Sequence, residues 1–126
     1  MYVAYPIFDV SPSKPLVARP FISPNDSWQM DYEYLHEQWP AVKRVAIAGW
    51  LGNEAMLDRV AGVAQKNGYQ VVAKDTYALN ATDHVTFFTK LLASKPDAVQ
   101  LNSSPIAGLL LRAIRQVGFK GPVFSD

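Results

Sequence analysis

The chain has 126 residues, 49% of them hydrophobic, and its 12 basic and 11 acidic side chains give a formal net charge of +1. This length and composition are typical of one globular domain with an ordinary core. The near-neutral charge excludes the basic surface expected of a nucleic-acid-binding protein. The absence of cysteine excludes disulfides, thiolate catalysis and sulfur-bound zinc. No apolar run approaches the roughly 18 residues of a membrane-spanning helix, and residues 1–10 lack the basic and apolar regions of a signal peptide.

The first 25 residues are rich in proline. They contain five of the nine prolines in the chain. Because proline fixes φ and lacks a backbone N–H, this density excludes a helix and favours extended segments and turns. Two short apolar stretches, residues 3–10 and 16–22, are therefore predicted as edge or connector strands.

A first helix is predicted between the polar residues 25–27 and Pro40. His36 lies among charged residues of this segment and is predicted to be a surface residue. The large apolar side chains recur at spacings of three and four, which gives the helix one apolar face. These side chains are Trp28, Tyr32, Leu35 and Trp39.

Three strand–helix units and a final strand follow. Strands are predicted near residues 44–48, 70–74, 98–102 and 123–125. Helices are predicted over about 53–67 and 82–94, and from a cap at Ser103 or Ser104, with Pro105 in the first turn, to Gly118. The strands are short and mostly apolar, as in a parallel sheet covered on both faces. The predicted fold class is α/β, with a Rossmann-like three-layer parallel sheet.

Polar residues near the predicted strand ends give no evidence of catalysis. Asp83 is predicted to support a helix N-terminus and His84 to be solvated, because adjacent helical residues point about 100° apart and cannot easily form a dyad. Ser103 and Ser104 lack the flanking glycines of a nucleophile elbow and are interpreted as helix caps or ligand donors. The turn "GWLGNE" has no phosphate-binding lysine. No enzyme activity, metal or cofactor is predicted.

Trp50 lies in the turn after the first of these strands, outside any helical periodicity. Right-handed strand–helix–strand connections bring all the strand carboxyl ends to one edge, outside which ligands of open α/β sheets bind. Two interpretations remain open. Trp50 packs over a helix end, or it forms an apolar wall with one indole N–H donor for a small organic ligand.

Five segments carry a family resemblance through their order and spacing. They are Arg19–Phe21 before a capped helix, Gly68–Val72, Ala81–His84 before a helix, Pro96–Val99 before a strand, and Arg112–Gly118 at a helix end. Over about residues 16–126 the chain resembles the type I periplasmic binding proteins, specifically the solute-binding proteins of the branched-chain amino acid ABC transporter class.

The resemblance implies a fold of two Rossmann-like lobes that hold a solute between them. Residues 1–18 are expected to form the end of lobe one and the crossover segment, and residues 19–126 to form lobe two, a single ligand-binding lobe. The implied partners are a small-molecule solute, ABC permease subunits and lobe one of the same protein, with no nucleic acid. The implied location is periplasmic or extracellular. The same fold also serves as the ligand-sensing domain of receptors and transcriptional regulators, which is the alternative function. An enzyme of flavodoxin-like or hydrolase type would need a phosphate loop or a catalytic triad, and the sequence shows neither.

The resemblance also implies where lobe two contacts the solute. Trp50 matches an aromatic residue that faces the solute in relatives. The place where amino-acid-binding relatives carry an acid falls at about Ala81, with Asn80 beside it. A buried ammonium without a counter-charge is costly, so an aromatic or aliphatic carboxylate is expected to bind better than an ordinary amino acid.

Four more polar residues complete the predicted binding site. Asn102 and Ser103 are expected to share the carboxyl edge with Trp50 and to offer amide and hydroxyl groups. Ser11 and Ser13 match the place where relatives present hydroxyl and backbone N–H groups from lobe one.

Overall fold

Four parallel strands form the centre of the protein. The computed structural model describes residues 2–3, 17–18, 24–102 and 104–125. The strands are β1 (Tyr2–Val3), β2 (Val17–Ala18), β3 (Arg44–Trp50), β4 (Gln70–Tyr77), β5 (Ala98–Leu101) and β6 (Val123–Ser125). The helices are α1 (Pro24–Gln38), α2 (Glu54–Lys66), α3 (Val85–Leu92) and α4 (Ala107–Gln116).

The main sheet has the strand order β4-β3-β5-β6, and every pair is parallel. All four strands lie where the sequence predicts them, so the parallel sheet is confirmed. Strands β1 and β2 pair with each other in parallel as a separate two-stranded sheet. β2 lies within the predicted segment 16–22, and β1 overlaps the predicted segment 3–10 only at Val3; the remaining residues of both segments fall outside the described part of the chain.

Helices cover both faces of the main sheet, which confirms the three-layer architecture. On one face, Ala46 and Ala48 of β3 pack in a cluster with Phe88 of α3 and Leu110 of α4. On the other face, α1 and α2 pack against the alternate residues of β3. The central strand is therefore buried on both sides, as its continuous apolar sequence predicts.

The apolar face of α1 is shorter than predicted. Trp28, Tyr32 and Leu35 are buried, whereas the prediction for Trp39 is wrong. That residue follows the last helical residue, Gln38, and its side chain is 45% exposed. The helical spacing no longer directs it toward the sheet, because the helix ends before Pro40.

Two helices, α3 and α4, begin two to three residues later than predicted. The Asp83 carboxylate accepts the Val85 N–H at 2.8 Å and the Thr86 hydroxyl at 3.1 Å, so it supports the N-terminus of α3 from outside the helix. Before α4, Pro105 lies in a turn instead of the first helical turn. The helix C-terminal glycines are as predicted, with φ values of +86° at Gly68 and +98° at Gly118.

Asp97 ties together the amino ends of β3 and β5. One carboxylate oxygen accepts the backbone N–H groups of Lys43 and Arg44, at 2.9 and 3.0 Å. These two hydrogen bonds, first from Lys43 and then from Arg44, lower the pKa of Asp97 below its ordinary value of 3.8; burial opposes the shift and the positive charge of Arg44 adds to it. The Asp97 N–H also donates to the Arg44 carbonyl at 2.7 Å.

Replacing Asp97 by Asn is expected to lower the free energy of unfolding by about 1 kcal/mol, because the acceptor is kept but its charge is lost. Since folding lowers the pKa, the carboxylate contributes its full stability above the ordinary value of 3.8 and loses it as the pH falls through the folded-state pKa. The free energy of unfolding is measured with urea between pH 7 and pH 2, which span roughly the range in which carboxyl groups titrate. It should therefore fall less on acidification for the variant than for the wild type. Glu37→Gln, an exposed change on α1, is the control; equal acid sensitivity of wild type and Asp97→Asn would contradict the assignment.

Candidate functional site

The carboxyl ends of the parallel strands meet at one edge of the sheet, which we call the carboxyl edge. β3 ends there at Trp50, β4 ends at Tyr77, and β5 is followed directly by Asn102. Trp50 and Tyr77 are register partners on neighbouring strands, and the Leu51 N–H donates to the Tyr77 carbonyl at 2.8 Å. The side chains of Trp50 and Tyr77 consequently lie next to each other on the face covered by α3 and α4.

Trp50 is partly exposed at this edge. One side of it packs against the core cluster that α3 and α4 form with the sheet. The chain turns away immediately afterwards, where Gly52 has φ of +100° and the Asn53 N–H donates to the Trp50 carbonyl at 3.0 Å. Trp50 therefore combines an anchored ring with a solvent-accessible portion, a geometry in which an aromatic side chain offers an apolar surface to a ligand.

Asn102 is fully buried and joins two loops of the carboxyl edge. Its backbone N–H donates to the Ala48 carbonyl at 2.8 Å. Its side-chain oxygen accepts a hydrogen bond from the Asn53 amide nitrogen at 3.1 Å. The turn after β3 is thereby fixed to the loop after β5, which gives the edge a defined shape.

Tyr77 and Ser104 form a polar pair that sequence reasoning missed. The Tyr77 hydroxyl and Ser104 Oγ are 2.6 Å apart, and Tyr77 is only 3% exposed. Burial raises the pKa of Tyr77 above 10.0, although the hydrogen bond with Ser104 opposes the shift. The tyrosine is therefore a protonated phenol throughout the physiological pH range. The sequence predicts this strand only as far as residue 74 and places Tyr77 in the following loop, where nothing in the sequence indicates a binding role.

His84 is buried, which corrects the prediction that it is solvated. Only 8% of the residue is exposed, and its ring packs edge-to-face on Tyr77 with centroids 5.8 Å apart. Within the described residues, Nδ1 of His84 has no hydrogen-bond partner. The loop before α3 folds over the end of β4, and this tertiary packing overrides the polar character of the local sequence.

The other predicted site residues lie apart from Trp50 or outside the described chain. Asn80 and Ala81 are exposed in the loop between β4 and α3. Ala81 lines a pocket of about 190 Å³, whose opposite wall is provided by α4. Ser11, Ser13 and Ser103 fall outside the described residues.

Two carboxylates near the carboxyl edge accept backbone hydrogen bonds. Glu54 accepts the Gly52 N–H at 3.2 Å, and Asp83 accepts the N–H of Val85. The described residues contain no cluster of three side chains able to hold a metal ion. In the described part of the edge, the Trp50 indole and the Ser104 hydroxyl belong to partly exposed residues and Glu54 is exposed, whereas the Tyr77 phenol and the Asn102 amide are buried.

A larger apolar groove lies away from the carboxyl edge. It has a volume of about 310 Å³ and is formed by the end of α1 and by β6, with Trp39 and Phe124 among its walls. No helix in the described part of the chain is long and apolar enough to cross a membrane.

Solved structures share this fold across most of the chain. An extracellular ligand-binding receptor from Rhodopseudomonas palustris HaA2 superposes with a TM-score of 0.73 at 23% identity, over 86% of this chain and 30% of that one. A type 1 periplasmic binding protein from Bordetella pertussis Tohama I gives 0.70 at 23% identity, over 89% and 30%. A branched-chain amino acid transporter substrate-binding protein from Streptococcus pneumoniae, in complex with isoleucine, gives 0.67 at 18% identity, over 86% and 31%.

The chain thus spans about a third of the length of these structural neighbours. The curated proteins include no significant match to the sequence. A family model described as "Periplasmic binding protein" matches residues 50–125, which is more than half of the chain. The match and the shared type I fold lead to one conclusion: the chain belongs to the periplasmic binding protein family.

Proposed function

We propose that the chain is part of an extracytoplasmic solute-binding protein that delivers a small organic solute to an ABC importer. The observation that carries the proposal is the pairing of Trp50 with Tyr77 at the carboxyl edge of an open parallel sheet. Ligands of such sheets bind outside this edge, and membership of a family of binding proteins supports recognition over catalysis. The proposed location is the periplasm or the extracellular space, and the proposed partners are the solute, ABC permease subunits and lobe one of the same protein.

The side chains of the edge favour an apolar solute with a hydrogen-bond acceptor. Trp50 supplies a partly exposed aromatic wall. Ser104, which is hydrogen-bonded to Tyr77, is partly exposed and offers a hydroxyl group, whereas the Asn102 amide is fully buried. A surface of this kind fits a ring or aliphatic chain and orients a carboxylate or carbonyl group through hydrogen bonds.

The charges of the edge disfavour an ordinary α-amino acid as the best solute. A buried ammonium group needs a carboxylate partner, and the position at which amino-acid-binding relatives carry one is expected to fall at about Ala81. The exposed loop residues Asn80 and Ala81, proposed as further solute contacts, bring no charge. The isoleucine in the Streptococcus pneumoniae neighbour supports a solute of similar size. We therefore propose an aromatic or aliphatic carboxylate, or an amino-acid-like compound, with the plain carboxylate bound more tightly.

Replacing Trp50 by Ala in the two-lobed protein is expected to weaken solute binding by about 1–3 kcal/mol, because the substitution removes one wall of the site. Isothermal titration calorimetry with 3-phenylpropanoate and with L-phenylalanine measures both the loss and the preference for the carboxylate. The matched control is Trp39→Ala, which removes an equally large, exposed indole from the distant groove. A loss of stability with unchanged affinity in Trp50→Ala would instead show that the indole only packs over the helix end.

The isolated 126-residue chain is expected to bind solute weakly, with a dissociation constant above the micromolar range, because one lobe supplies roughly half of the contacts that bury a ligand. It is also expected to self-associate if the apolar surface that meets the other lobe is uncovered. Calorimetry and sedimentation velocity measure the two properties. Sub-micromolar affinity of the monomeric chain would contradict the two-lobe account.

A further inference from the structure

The hydrogen bond between Tyr77 and Ser104 connects a buried residue to an accessible one. Tyr77 is 3% exposed at the end of β4, whereas Ser104 is partly exposed in the loop before α4. The two hydroxyl oxygens are 2.6 Å apart. Ser104 Oγ also lies 3.4 Å from the Ile106 backbone nitrogen, whose N–H it accepts.

The direction of the hydrogen bond follows from counting donors and acceptors. Each hydroxyl has one hydrogen and two acceptor lone pairs. If Ser104 donated to Tyr77, the tyrosine hydrogen would be buried without an acceptor among the described residues, which is unfavourable. When Tyr77 donates, both lone pairs of Ser104 are occupied, one by Tyr77 and one by the Ile106 N–H. The Ser104 hydrogen is then the group left to point outward.

The Tyr77 ring is held so that its hydroxyl has little freedom. His84 and Phe87 both contact it edge-to-face, each with ring centroids 5.8 Å from that of Tyr77. The backbone of Tyr77 is fixed beside Trp50 by the β3–β4 pairing. The raised pKa of Tyr77 keeps its phenol protonated, so that it is available as the donor.

We infer that Tyr77 is a positioning residue: it donates to Ser104 Oγ and so directs the Ser104 hydroxyl hydrogen toward an acceptor group of the solute beside Trp50. The inference rests on the proposed function and specifies how the edge selects its solute. A solute with a carboxylate or carbonyl oxygen satisfies the outward Ser104 hydrogen. A solute that presents only donors at this position does not.

The test is an NMR titration of the ¹⁵N-labelled 126-residue chain with 3-phenylpropanoate and with 4-methylpentanoate, since amide shifts report weak binding. Tyr77→Phe leaves Ser104 in place but removes the group that orients it, and it is expected to weaken binding about fivefold, the equivalent of one hydrogen bond. Ser104→Ala should weaken binding by a similar factor. In the double variant the loss should stay about fivefold instead of multiplying, because both changes break the same chain of hydrogen bonds.

Matched controls separate positioning from a general loss of packing. Tyr69→Phe removes another buried tyrosine hydroxyl, which donates to the Tyr32 carbonyl at the amino end of β4. Ser94→Ala removes a hydroxyl that donates to the Leu91 carbonyl beyond α3. Both controls should bind as the wild type does. Ser104→Thr keeps a hydroxyl and should retain most of the affinity, and it tests the donor without altering the buried ring.

The outcomes separate this inference from the proposed function. If the wild type binds and both Tyr77→Phe and Ser104→Ala bind equally well, the positioning role is wrong while solute binding stands. If the losses in the double variant multiply, Tyr77 does not act through Ser104, and the inference is again overturned. If neither the wild-type chain nor the two-lobed protein binds either carboxylate, the proposed solute class fails and the inference fails with it.

Discussion

The burial of the central strand β3 between two helix layers and two neighbouring strands fixes the position of its carboxyl end. A β-carbon at Gly49 would lie 2.7 Å from Cδ2 of Leu57, so a larger residue there would require the Leu57 side chain to move. Residues 45–49 are buried on both faces, and β3 pairs with β4 on one side and β5 on the other. Because the strand is held from every direction, the residue that follows Gly49 has a fixed position. Trp50 is that residue.

The carboxyl edge then follows from the parallel pairing. The strand ends meet there, and three of them place different chemical groups: an indole at the end of β3, a phenol at the end of β4 and an amide after β5. Hydrogen bonds across the edge, from Asn53 to Asn102 and between Tyr77 and Ser104, connect loops that are far apart in sequence. The edge therefore has hydrogen-bonded loops beside a partly exposed aromatic side chain, an arrangement that fits the proposed binding role.

The architecture was predictable from the sequence, whereas the partners at the edge were not. Apolar runs, helix caps and the glycines at 68 and 118 specify the elements through local chemistry. The pairing of Trp50 depends instead on a register shift: Val45 pairs with Val71, but Ala46 pairs with Ala73, so β4 carries one extra residue at Val72. Without this bulge, Trp50 would lie opposite Thr76. No periodicity in the sequence indicates such an insertion.

Tertiary packing also determines the burial of two residues for which the sequence prediction is wrong. His84 is polar and follows Asp83, yet the loop folds it against the Tyr77 ring and buries it. Trp39 continues the apolar spacing of α1, yet the helix ends one residue earlier and the indole stays exposed. Both outcomes depend on where a loop or a helix end lies in space. Local sequence specifies that only loosely.

The most direct test of the central claim is a crystal structure of the protein with 3-phenylpropanoate bound. The account predicts electron density for the ring against Trp50, with a carboxylate oxygen within hydrogen-bond distance of Ser104 Oγ. Density in the groove between Trp39 and Phe124, or in the pocket between Ala81 and α4, with the carboxyl edge unchanged, would contradict it.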